Sequence, residues 1–141
     1  DWAELFRILL HTYCWRFNWA YSDGHPEMPL IQQGFGFSLY LLHCYGGQRR
    51  SPQFYADAFL QAFPDLPNEV PGETVSALIN SPEEKVRQAW ELRTLSRFGH
   101  WFGLVQWRED PEAPRGPMGM GQGLAVQKTG LFEQAVQWGI E

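Results

Sequence analysis

Arg93, Arg97 and His100 recur at four- and three-residue spacings in the stretch "RTLSRFGHWFGLVQW" (residues 93 to 107), with Thr94 and Ser96 between them. Arginines one helical turn apart are a donor array. A guanidinium can grip a phosphate or the O6/N7 edge of guanine in bidentate fashion, and short hydroxyls beside it add finer contacts. At 100° per residue, Leu95, Phe98 and Phe102 fall within about 60° of one another, and the basic residues lie on the opposite side. One face anchored in a core and one face of donors is what a groove-reading helix requires. The same pattern also describes an exposed amphipathic helix that only packs. Trp101 and Trp107 are candidate anchors for a protein partner in that case.

The elements that must position this stretch follow from its punctuation. Ser81, Pro82 and Glu84 have the form of a capping box, opening a helix over "SPEEKVRQAWEL". A short break and the amphipathic helix come next. Gly103 then acts as a stop, "LVQWR" and "LAVQK" read as two strands, and Thr129 caps a last helix, "GLFEQAVQW". Between the strands, residues 109 to 123 hold four glycines and three prolines, a long loop. Upstream, "DWAELFRILLHTYCWRFNWAY" reads as a helix apolar around much of its circumference, expected to pack on two sides. "SDGHPEMP" (22–29) reads as a loop. A helix at about 35–46 ends at Gly46-Gly47, expected to take the positive φ that glycine permits. A further helix starts at the Ser51 cap with Pro52 in its first turn and ends at Pro64. Residues 65–80 read as a loop, with a turn of helix around 75–79.

The order helix, break, amphipathic helix, strand, loop, strand, helix resembles the winged helix-turn-helix, and within it the MarR-like regulators. The matching residues are Thr94, Arg97, Gly103, Leu104, Val105, Thr129 and Gly130, and the likeness covers about residues 81–130. It departs where Thr129 and Gly130 adjoin and where the wing is rich in Gly, Pro and Met. The resemblance implies a mainly α fold with a small β-hairpin, N-terminal helices (1–64) packed on a C-terminal winged-helix unit (81–141) within one domain. It also implies a non-catalytic, DNA-binding regulator. Arg93, Thr94, Ser96, Arg97 and His100 would read the groove, and Arg108 and Arg115 would touch the backbone. Arg87 and the Arg49-Arg50 pair ahead of the Ser51 cap are further candidate phosphate contacts. The alternative is a winged-helix protein–protein interaction or oligomerisation module without DNA.

Composition bears on both readings. The net charge of −5 excludes a protein whose whole surface binds nucleic acid. The acidity lies elsewhere, however: residues 81–129 carry seven Lys/Arg against six Asp/Glu, and the remainder four against ten. Aromatics reach 16% while charged residues are only 19%, so some aromatic surface is expected to be covered by a partner or a second copy.

Cys14 and Cys44, two cysteines in apolar surroundings, read as buried free thiols of a cytoplasmic protein. His11 with Cys14 and His43 with Cys44 lack the spacing of a zinc site. Nothing resembles a phosphate-cradling loop or a nucleophile with its base, so neither a cofactor nor an enzyme activity is expected. His25 with Asp23 and Glu27 is a possible acid–base cluster, though more simply a loop histidine. No charge-free apolar run reaches eighteen residues, which argues against a membrane span.

Overall fold

A computed structural model describes residues 1–72, 80–112 and 123–137. The protein is mainly α with a small β-hairpin. Its elements are α1 (Trp2–Trp15), α2 (Leu30–Gln33), α3 (Phe35–Tyr45), α4 (Pro52–Ala62), a 3-10 turn (Leu66–Glu69), α5 (Pro82–Trp90), a π-helical segment (Glu91–Gly99), β1 (Val105–Glu109), β2 (Leu124–Lys128) and α6 (Gly130–Ala135). The expected turn of helix at 75–79 and residues 113–122 of the expected long loop lie outside the described residues.

Three helices start as their caps dictate. The hydroxyls of Ser51, Ser81 and Thr129 accept from the amides of Phe54, Glu84 and Phe132, each satisfying an orphan donor of the first turn. The capping box at Ser81 is only half formed, because the Glu84 carboxylate instead accepts from Arg87 at 2.8 Å.

No break separates residues 81–92 from 93–102. α5 runs directly into the π-helical segment, where the His100 amide reaches back five residues to the Leu95 carbonyl. Nothing between Pro82 and Gly99 interrupts helical bonding, since neither glycine nor proline intervenes. Residues four apart share a face under this winding as they do in an α-helix, so Arg93 and Arg97 point the same way.

β1 and β2 pair antiparallel with Trp107 opposite Val126, and Arg50 adds one residue of a third edge by exchanging both hydrogen bonds with Val126. Gly46 does not take the positive φ expected of it; its φ is −77°. Its role is close approach: the Lys128 amide donates to its carbonyl at 2.9 Å, and a Cβ there would sit 3.2 Å from the Lys128 side chain. Gly103 does have the left-handed conformation, at φ +69°, and turns the helix into β1. Its carbonyl accepts from the Thr129 hydroxyl at 2.6 Å, which ties the helix end to the start of α6.

The core runs from Tyr13 and Trp19 through Ile31, Leu42, Tyr55 and Phe59 to Trp90, Leu95, Phe98, Val126 and Phe132, all in one connected cluster. Gln32 closes the end of α1 by donating to the carbonyls of Cys14 and Phe17, at 3.0 and 2.6 Å.

Replacing Gly103 by alanine puts a Cβ on a left-handed residue and 3.3 Å from Leu131. The expected loss is about 1–2 kcal/mol of folding stability, read from urea denaturation. An unchanged midpoint and slope would show that this turn is not strained.

Candidate interaction surface

The residues expected to face a DNA groove are not gathered on one open face. Arg93 is 1% exposed. Its guanidinium clasps Asp23, with Nε donating to Oδ2 at 2.6 Å and Nη2 to Oδ1 at 3.1 Å, and the Asp23 side chain is fully buried. The remaining donors reach the backbone of the same loop: the carbonyls of Glu27 at 2.8 Å, Pro26 at 2.6 Å and His25 at 3.3 Å. Thr94 is buried beside it. Arg97 donates to the Tyr21 carbonyl at 2.9 Å and lies over the Trp101 ring at 5.7 Å from its centroid. Ser96 is half-buried and faces the opposite side of the helix, into a cleft with Trp107. His100 is exposed. Arg108 is exposed on the hairpin and donates to Gln106 at 3.1 Å. Arg115 lies outside the described residues.

The physical reason for the buried arginine is the loop at 19–28, which covers the face that α-helical spacing leaves open. The loop is strained: Ser22 and Met28 are non-glycine residues at φ +52° and +41°. Such conformations persist only where the surroundings over-determine them. Arg93 does so, satisfying three carbonyls and a carboxylate between those two residues. Desolvation is the largest influence on the Asp23 carboxyl and pushes its pKa up. The Arg93 hydrogen bond, the His25 amide and the charges of Arg93 and His25 outweigh it and hold the carboxyl below its ordinary range. His25 contributes an amide, at 2.9 Å from Asp23 Oδ1, and no acid–base cluster; burial leads the influences on its ring and lowers its pKa.

The other candidate cations are engaged too. Arg87 bridges Asp57 and Glu84, and Arg50 lies over the Tyr45 and Phe54 rings while donating to the Tyr45 carbonyl. Arg49 is exposed.

The cleft holding Ser96 and Trp107 is open, about 1030 Å³, between α4, the long helix and the hairpin. Burial raises the pKa of Glu91 on its wall. A carboxyl with a raised pKa is one part of an acid–base site, but the described lining sets no nucleophile with its base around it. Among the described residues, no group of three or more His, Cys, Asp or Glu is placed to hold a metal ion, and no helix is long and apolar enough to cross a membrane. Both cysteines are free. Cys14 is buried and its thiol is pushed up to about 12, whereas Cys44, expected to be buried, is exposed because it lies on the outer side of α3.

α1 departs most from what its sequence led us to expect. It packs mainly through one side, and on the other only Trp15 finds a neighbour, meeting Phe35 edge-on at 5.4 Å. Phe6 and Tyr13 meet Phe102 edge-on, Tyr13 stacks on Phe98, and Cys14 is covered. The second apolar face is bare: Trp2 is 84% exposed, Trp15 65%, and Leu5, Ile8 and Leu9 lie open between them. Trp101, 60% exposed, adds an aromatic surface beside Tyr13. Trp107, its fellow candidate anchor, is half-buried against the core.

No family model, no curated protein and no solved structure matches this chain. Its function therefore rests on its own surface.

The Asp23–Arg93 pair yields a pH dependence. A carboxyl held below its unfolded value of about 3.9 stabilises the fold above that pH, and the contribution is lost as pH falls through the lower folded value. Stability of the intact chain should therefore drop on acidification below about pH 4. Asp23→Ala should lose about 3–5 kcal/mol at neutral pH by stranding a buried guanidinium, and should have a flatter acid limb. An Asp23→Ala protein as stable as the parent would contradict the burial of this pair.

Proposed function

We propose that this chain is a non-catalytic protein-interaction module that docks through the outer face of α1. The observation that carries the reading is the bare row Trp2, Leu5, Ile8, Leu9 and Trp15. Single exposed apolar residues are ordinary on a protein surface. Five on one short helix, two of them tryptophans, form a contiguous patch of the kind that marks binding surfaces. Tryptophan is also the residue most enriched among energetic anchors of interfaces.

DNA recognition draws less support from the geometry. The two arginines that made the helix look like a reading head are committed to the 19–27 loop. The exposed side chains of His100 and Arg108 stand on a protein of net charge −5. A groove-binding surface would need their potential to prevail over that field.

A photo-crosslinking side chain placed at Thr12, exposed at the centre of the bare face, should give a discrete polypeptide adduct in cells. One placed at Arg108 on the hairpin should give none. No adduct at Thr12 contradicts the reading. Low-salt duplex binding that falls steeply with salt and disappears in His100→Ala/Arg108→Ala would return the protein to the DNA-binding class.

A further inference from the structure

We infer that the outer face of α1 is the seam of an antiparallel homodimer, in which α1 of one copy lies along α1 of a second. The inference rests on the interaction-module reading above and names its partner.

Trp2, Leu5, Leu9 and Thr12 follow spacings of three, four and three, the a/d repeat by which one helix packs along another. Ile8 and Trp15, seven apart, flank that line. The face is also nearly palindromic about the point between Ile8 and Leu9. Counting outwards pairs Ile8 with Leu9, Leu5 with Thr12, Trp2 with Trp15, and Asp1 with Arg16. A two-fold axis requires that self-complementarity, because an isologous contact sets each residue against its mirror position on the second copy. With the axis through the midpoint, Ile8 meets the second copy's Leu9 and Leu9 its Ile8. Leu5 faces the second copy's Thr12, and at each end Trp2 and the second copy's Trp15 close the seam from its two flanks.

Charge selects the direction. Antiparallel pairing brings Asp1 to the end occupied by the second copy's Arg16, and the helix dipoles oppose. Parallel pairing would set Arg16 against Arg16 and Asp1 against Asp1. The one ion pair within the helix, Glu4 with Arg7, lies on the strip between the bare face and the packed face and stays clear of the seam.

The area is adequate. The exposed parts of the five apolar side chains come to roughly 600 Å², taking about 150–250 Å² for a whole aromatic side chain. A standard interface buries about 800 Å² per partner, and the polar rim of the helix supplies the difference.

The test uses the purified chain. Sedimentation should show a dimer. Leu5→Glu/Leu9→Glu should raise its dissociation constant by about a hundredfold or more while leaving circular dichroism and melting of the monomer unchanged, since both residues are exposed. In a Cys44→Ser background, mixing Leu5→Cys with Thr12→Cys should give a disulfide between the two variants, and neither alone should self-link. Two copies of position 5 lie about 10 Å apart along an antiparallel seam. A disulfide spans only about 7 Å between Cα atoms.

Self-linking of each single variant would establish parallel pairing and overturn the inference. So would a dimer that survives Leu5→Glu/Leu9→Glu. A chain monomeric at its solubility limit overturns the inference as well. In that case a Thr12 adduct to a different polypeptide leaves the interaction reading standing, and no adduct removes both.

Discussion

The Arg93–Asp23 pair is the constraint on which the arrangement depends. A guanidinium buried to this degree is tolerable only with its donors satisfied and its charge matched. Asp23 supplies the charge, and the carbonyls of His25, Pro26 and Glu27 accept the remaining donors. In return the loop at 22–28 is held in a shape that includes two left-handed non-glycine residues. The loop in turn leads into α2, where Gln32 closes the end of α1 and Trp19 seats against Phe98. The N-terminal helices are thus docked on the C-terminal half through one polar clasp set inside an aromatic core.

That clasp redirects the functional reading. Cations used to hold a loop are not available to phosphates, and the winding that aligns Arg93 with Arg97 turns both towards residues 19–27. The proposed function moves to the side of the molecule that the core does not reach. There α1 presents tryptophans at both ends and aliphatic side chains between, with its polar strip elsewhere. An amphipathic helix normally carries one apolar stripe; α1 carries two, and its own chain covers one.

Local chemistry was legible from the residues themselves. The caps at Ser51, Ser81 and Thr129, the stop at Gly103 and the hairpin strands depend on neighbours within a few positions, so their signals survive without tertiary knowledge. Arg93 was misread because its partner lies seventy residues away. A basic residue on the polar side of a helical wheel looks identical whether water or a buried aspartate faces it. The wheel itself also assumed 3.6 residues per turn where the helix is wider. Gly46 was misread for a similar reason: the strand that needs its missing side chain is β2, more than seventy residues on. The excess of apolar surface was legible in composition, and α1 was visibly apolar around much of its circumference. Which of its two faces would remain open depended on where Phe98 and Phe102 fall.

Hydrogen exchange followed by mass spectrometry, at dilute and at high protein concentration and again with duplex DNA, tests the account most directly. It predicts that residues 22–28 and 91–99 are protected to the same extent in every condition, because their clasp is internal, and that protection of α1 rises with concentration alone. Protection of 91–99 that is weak in the free protein and rises on adding duplex, with α1 unchanged throughout, would contradict it.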